Sequence, residues 1–201
     1  MPQNLLPSAK TLRTMPDIAF IGDSTFLFEK LFQEMSLECQ FIKPAVFCSP
    51  FLPEFRMILI PTGFANPMYS DILPSLRRCR SKIASFVEKG GMLTVFGPVV
   101  SEHDYDWLPL SLKYIQDYQT CEILESKKHE CSSLINKFTV DCDGYLIAGE
   151  EFDVILTDSR DNPVLVLGRL GEGFIVVTSI HEFPSVKYML WAVNKGRRMR
   201  I

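Results

Sequence analysis

The chain has 201 residues, of which 47% are hydrophobic, a composition that supports a buried core and excludes an intrinsically disordered chain. Its net charge of −3 gives no overall attraction to nucleic acid or to an anionic membrane, and we expect neither partner. Because no apolar stretch is long enough for a membrane span and the first residues lack a signal-peptide pattern, we also expect a cytoplasmic protein. The six cysteines include no CxxC pair, which favours free thiols in a reducing compartment.

The first half of the chain alternates short apolar runs with amphipathic segments. After an irregular lead-in over residues 1–16, residues 17–22 predict a strand buried on both faces. Apolar residues at helical spacing predict a helix over 25–36, and a longer helix is predicted between Asp71, its N-cap, and Gly90, its C-terminal cap. Further strands are predicted at 37–42, 55–60 and 92–96. This alternation predicts an α/β fold, a flavodoxin-like three-layer sandwich with a mostly parallel central sheet.

The second half is richer in strands. Its predicted strands lie at 114–124, 152–157, 163–167 and 174–180. The middle two flank a polar turn and form a hairpin, which predicts an antiparallel β extension in the C-terminal half. Residues 99–150 are interpreted as a variable insertion that contains a loop at 101–109, and a helix over 185–194 precedes a basic tail at 195–201. We therefore expect a single domain over residues 1–201.

Three short motifs lie where the strands of such a sheet end. They are Pro61-Thr62-Gly63 after a strand, Gly90-Gly91 between a helix and the next strand, and a Gly-x-Gly turn before the strand that reaches His181. In this order and spacing they resemble the class I glutamine amidotransferase-like superfamily, in its branch of ThuA-like proteins and β-galactosidase middle domains. The resemblance covers residues 17–98 and 152–194 and implies a site at the carboxyl ends of the strands.

The resemblance also implies roles for individual residues. Gly63 corresponds to a glycine whose backbone N–H helps to stabilise an oxyanion. His181 lies at the position of the family's catalytic histidine, and Glu182 or another nearby acid would orient its ring. The family's nucleophilic cysteine follows the fourth strand, where this chain has Val95-Phe96-Gly97-Pro98-Val99-Val100. Because this stretch contains no thiol or hydroxyl, covalent hydrolysis of glutamine is disfavoured.

We therefore predict a non-catalytic binding or assembly module for a small molecule or protein, with no cofactor. The predicted ligand-binding residues are Gly22, Asp23, Ser24, Gly63, Phe64 and Gly97. Asp23 and Ser24 could place an anion at a helix N-terminus or simply cap that helix. The alternative is a hydrolase in which His181, with a nearby acid such as Glu182, uses an activated water or the displaced thiol of Cys48. Free sheet edges also predict a homodimer.

Two sets of side chains have the chemistry of metal ligands but not the spacing. The first consists of His103, Asp104, Asp106 and His181, and the second of His129, Cys121, Cys131 and Cys142. The spacing of the first set matches no known ligand pattern, and its acidic loop is usually just solvated. The gaps of ten and eleven residues between the three cysteines of the second set lack the short paired spacing of structural zinc sites. No metal is therefore predicted.

Overall fold

The computed structural model describes residues 15–22 and 31–201. The strands of this part of the chain are β1 (Ile18–Ile21), β2 (Cys39–Ile42), β3 (Glu54–Phe55), β4 (Met57–Ile60), β5 (Met92–Val95), β6 (Glu102–Asp104), β7 (Leu112–Glu125), β8 (Thr139–Ala148), β9 (Phe152–Asp158), β10 (Pro163–Leu170), β11 (Gly173–Thr178) and β12 (Met199–Arg200). The helices are α1 (Ile72–Glu88) and α2 (Val186–Lys195), with short 3-10 segments at Pro44–Val46 and Glu130–Leu134. Residues 31–34 are also helical, within the helix predicted at 25–36, whose earlier part lies outside the described residues.

The main sheet has ten strands in the described residues, in the order β2-β1-β4-β5-β11-β10-β9-β7-β6, with β8 paired to β7. Strands β2, β1, β4, β5 and β11 are parallel. Every residue of β1, β4 and β5 is buried, which is why these strands appear in the sequence as continuous apolar runs. Because β2 and β4 lie on opposite sides of β1, the strand order reverses there, and open α/β sheets bind ligands beside such a reversal.

The predicted antiparallel extension is confirmed. Strands β11, β10 and β9 pair antiparallel, and β7 continues the sheet to β6 and β8. Two details differ from the sequence prediction. The loop predicted at 101–109 contains β6, and the insertion contains β8, for which no strand was predicted. Strand β8 includes Asp141, Asp143 and Gly144, residue types that disfavour strands, so its pairing with β7 overrides local propensity.

Alternating side chains of the central strands face two hydrophobic clusters. Ile58 and Leu93 belong to the cluster that contains the apolar stripe of α1, whereas Leu59 and Met92 belong to the cluster that contains Tyr188 of α2. The sheet is therefore covered on both faces, as the predicted three-layer sandwich requires.

The ends of α1 only partly follow the prediction. Gly90 follows the helix with a φ of +115°, the left-handed conformation predicted for its C-terminal cap. At the other end, Asp71 makes no side-chain capping bond, and the hydroxyl of Ser70 accepts the N–H of Ile72 instead. Within the described residues no helix is both long and apolar enough to cross a lipid bilayer.

Candidate functional site

Four predicted site residues lie at the carboxyl ends of parallel strands. Gly22 follows β1, Gly63 lies beyond β4, Gly97 lies beyond β5, and His181 lies beyond β11. We call this edge of the sheet the strand-end site. The N–H of Gly63 donates to the carbonyl of Gly97 over 2.8 Å, which ties two strand ends together. Two further predicted ligand residues, Asp23 and Ser24, lie outside the described residues.

The imidazole of His181 is held by a carboxylate that the sequence did not identify. Its Nδ1 lies 2.8 Å from Oδ1 of Asp143, whose side chain is only 8% exposed, while the His181 side chain is 56% exposed. A carboxylate at this distance accepts the proton of Nδ1 and leaves the lone pair of Nε2 available. Since hydrogen positions follow from the partner, this tautomer is assigned from the Asp143 contact.

Strand β8 brings Asp143 to this place. The N–H of Asp143 donates to the carbonyl of Ser179 over 2.9 Å, and the N–H of His181 donates to the carbonyl of Asp141 over 2.8 Å. These two bonds flank the bridge between Cys142 and Ile180 and align β8 antiparallel to the end of β11. The contact between imidazole and carboxylate is therefore built on backbone pairing rather than on a single flexible loop.

The second oxygen of Asp143 faces the end of β5. Oδ2 is buried and has no hydrogen-bond partner among the described residues, and the same is true of the hydroxyl of Ser179. A side chain at Gly97 would start 3.2 Å from this oxygen. Because buried polar atoms nearly always have partners, the unused hydrogen-bonding capacity of Oδ2 and of the Ser179 hydroxyl is unusual for a protein interior.

Glu182 is placed differently from the expectation. Both of its carboxylate oxygens accept hydrogen bonds from Nζ of Lys137, at 2.9 and 2.8 Å. The acid that contacts the His181 ring is Asp143, so the structure brings together His181 and the unnamed nearby acid of the prediction, but not His181 and Glu182.

The turn after β5 is strained. Val99 has a φ of +54°, a left-handed conformation that is rare for a β-branched residue. Such a residue costs about 1–3 kcal/mol, and surrounding contacts must hold it in place. Here the side-chain amide of Asn66 donates to the carbonyl of Val99 over 2.9 Å. Within the described residues no thiol or hydroxyl makes a hydrogen bond to the imidazole of His181.

Phe64 supports the site from inside the core and is not part of an exposed surface. Its side chain is fully buried, and its ring packs edge-on against His103 and Trp107, with centroid distances of 5.4 and 5.7 Å. Burial lowers the pKa of His103, which favours its neutral form inside this aromatic cluster. The structure therefore places the Phe64 side chain in the core, beneath the strand ends.

The second set of side chains considered as metal ligands forms two separate pairs. The sulfur of Cys131 lies 3.0 Å from Nδ1 of His129, and the sulfurs of Cys121 and Cys142 lie 3.5 Å apart. Burial raises the pKa of the Cys131 thiol to about 12, so this thiol stays protonated at neutral pH. In residues 15–22 and 31–201 no group of three or more His, Cys, Asp or Glu side chains is placed to hold a metal ion.

The thiol of Cys48 is also not free. Cys48 and Cys79 form a disulfide, which corrects the expectation of free thiols at these two positions and the proposed use of Cys48 as a displaced nucleophile. Cys39, Cys121, Cys131 and Cys142 are free.

The sequence matches no protein-family model and no curated protein. The fold is similar to a Thermoplasma acidophilum protein described as a GMP synthase subunit, with a TM-score of 0.58 at 9% identity over 90% of this chain and 92% of that chain. It is also similar to the cytoplasmic protein STM3548 from Salmonella typhimurium, with a TM-score of 0.55 at 11% identity over 91% of this chain and 100% of that chain.

A third similarity is to a β-galactosidase from Bacillus circulans sp. alkalophilus, with a TM-score of 0.52 at 11% identity over 90% of this chain. The chain spans only 30% of that β-galactosidase. Similarity at these identities shows the fold alone. The three structures agree with the α/β fold predicted from the sequence.

Proposed function

We propose that this chain is a non-catalytic module of the ThuA-like and β-galactosidase middle-domain branch, and that it binds a small molecule or a protein at the strand-end site. The turn after β5 carries the proposal. It has the strained backbone of a turn that presents a side chain, with Val99 at a φ of +54°, but its residues offer no attacking sulfur or oxygen. A histidine without a nucleophile to deprotonate cannot begin covalent acyl transfer.

The contact between His181 and Asp143 supports a recognition role. Asp143 fixes the orientation of the ring, so Nε2 is held ready for a hydrogen bond with a ligand and less side-chain freedom is lost on binding. The unused capacity of Asp143 Oδ2 and of the Ser179 hydroxyl adds polar groups at the base of the same site. A ligand with hydroxyl or N–H donors fits this arrangement.

A thermal-shift screen against amino acids, sugars and nucleotides tests the binding role. A ligand present at 100 times its Kd stabilises the folded state by about 2.7 kcal/mol, a shift that is easily measured. We expect a stabilising compound to act on the wild type and on Lys137→Gln, a nearby surface control, but not on His181→Ala. Equal shifts in wild type and His181→Ala contradict the assigned site. A screen with no stabilising compound contradicts the small-molecule form of the proposal and directs the search to a protein partner.

The second candidate is a hydrolase in which His181, oriented by Asp143, activates a water molecule. The 2.8 Å contact between the side chains of His181 and Asp143 favours the hydrolase. Against it, the N–H of Gly63 already donates to Gly97, so the expected oxyanion donor is occupied, and Cys48 is in a disulfide.

Saturable hydrolysis of nitrophenyl esters, nitrophenyl glycosides or glutamine separates the two candidates. The binding role predicts no turnover above that of His181→Ala. General-base catalysis is worth about 10²–10⁴-fold, so a saturable activity that falls by about 100-fold in His181→Ala would establish the hydrolase.

We also propose a cytoplasmic location and a homodimer formed through a sheet edge. The similar Salmonella proteins STM1381 and STM3548 are named cytoplasmic proteins, which supports the location. Light scattering tests the homodimer, and a molecular mass equal to one chain at high protein concentration would contradict it.

A further inference from the structure

A cleft of about 530 Å³ lies between the segment that follows β2 and helix α1. Its lining includes Val46, Cys48, Ser49, Arg78, Cys79 and Lys82. The Cys48–Cys79 disulfide is therefore part of the wall of an open cleft. Cys79 is only 2% exposed, whereas Cys48 is partly exposed, so Cys48 is the more accessible residue of the pair.

Two cationic side chains border this disulfide. Nζ of Lys82 donates to the carbonyl of Cys48 over 2.6 Å, and the guanidinium of Arg78 donates to the hydroxyl of Ser75 over 3.1 Å. Both are exposed, and neither forms an ion pair with a carboxylate of the described residues. Their charge attracts an anionic reagent and stabilises a thiolate that forms between them.

The backbone at Cys48 is also strained. Its φ is +75°, in the left-handed region that non-glycine residues seldom adopt. Such conformations persist where neighbouring contacts enforce them, and here the disulfide joins Cys48 to a helix residue 31 positions later. Cleavage of the disulfide lets this backbone relax, which favours opening.

We propose that Cys48–Cys79 is a thiol–disulfide exchange site, at which Cys48 takes an anionic low-molecular-weight thiol whose carboxylates are held by Arg78 and Lys82. The thiolate of the small molecule attacks Sγ of Cys48, and the bond to Cys79 breaks. Cys79 leaves as a thiolate and takes a proton, so Cys48 is left in a mixed disulfide. A second small thiolate attacks that mixed disulfide, releases Cys48 as a thiol, and forms the small-molecule disulfide. Two electrons pass from the small thiols to the protein.

Counting thiols tests whether the disulfide exists and exchanges. We expect protein treated with oxidised glutathione, then denatured without reductant and alkylated, to protect Cys48 and Cys79 as a pair. Reduced glutathione should then expose both. Alkylation of all six cysteines after the oxidising treatment would overturn the proposal.

Single-cysteine variants test which sulfur reacts. With oxidised glutathione, Cys79→Ser should form one mixed disulfide at Cys48, located by peptide mass spectrometry. The matched variant Cys48→Ser should react far more slowly at Cys79, because that sulfur is buried. Equal rates in the two variants, or no adduct in Cys79→Ser, would contradict the assignment of Cys48.

Charge recognition is tested with two reducing thiols. Arg78→Gln and Lys82→Gln should each slow reduction by glutathione about threefold, the effect of a partly exposed ion pair, and should leave reduction by neutral 2-mercaptoethanol unchanged. Arg80→Gln, which replaces an exposed cation that does not line the cleft, is the control. Equal slowing with both thiols would contradict recognition of the anion by Arg78 and Lys82.

Discussion

The buried carboxylate of Asp158 makes a quantitative prediction about the antiparallel extension. Asp158 ends β9, is fully buried, and accepts hydrogen bonds from the backbone N–H groups of Arg160 and Asn162 at 2.8 and 2.9 Å. The side-chain amide of Gln119 in β7 donates to it over 2.6 Å. Burial alone opposes ionisation, but these hydrogen bonds outweigh it and lower the pKa of Asp158 from 3.8 to about 2.

This pKa gives the size of the effect. The lowering of the pKa from 3.8 to about 2 corresponds to about 2.5 kcal/mol of stability, because one pKa unit equals about 1.4 kcal/mol. The pKa is lowered by folding, so the contribution is complete well above pH 4 and is lost as the pH falls through the folded value near 2. Asp158→Asn should therefore lower the free energy of unfolding by about 2.5 kcal/mol at pH 7.

Urea unfolding of wild type and Asp158→Asn from pH 7 to pH 2 measures this contribution. The difference in unfolding free energy should shrink below about 1 kcal/mol at pH 2, because the carboxyl is then protonated in the unfolded state and about half protonated in the folded state of the wild type. Asp161→Asn, in the same turn, is the control for a change of net charge. A difference that stays constant across this range would refute the account of Asp158.

The other predictions concern the strand-end site and the core beneath it. Val99→Asn should stabilise the protein by about 1 kcal/mol in urea unfolding, because asparagine tolerates the left-handed conformation that Val99 adopts. Val99→Ala keeps the strain and is the control. Equal stability of the two variants would contradict strain at this turn. Tyr188→Phe should destabilise the protein by about 1–2 kcal/mol, because it removes the buried 2.7 Å hydrogen bond between the Tyr188 and Thr94 hydroxyls. An unchanged midpoint of urea unfolding would show that this hydrogen bond contributes nothing to stability.

The sequence was sufficient to predict the parallel half of the fold. Strands such as β1 and β4 are buried on both faces, so each appears as a continuous apolar run between turn residues. Strand β8 could not be predicted in this way, because its aspartates and glycine look like a loop and its pairing with β7 depends on residues far away in the chain.

The site could be predicted only in part, again because pairing between distant parts of the chain brings its residues together. His181 could be placed at the end of a strand from its motif, but its partner Asp143 is 38 residues earlier and becomes a neighbour only through β8. Glu182 is adjacent in sequence and therefore looked suitable. In the structure the chain bends at Glu182, whose carboxylate pairs with Lys137, while the His181 ring contacts Asp143.

The measurement that tests the central claim most directly is mass analysis of each compound that raises the melting temperature in the screen, after long incubation with the wild type. The account predicts that every such compound is recovered intact and that the stabilisation is lost in His181→Ala. Recovery of hydrolysis products from the wild type, but not from His181→Ala, would contradict it.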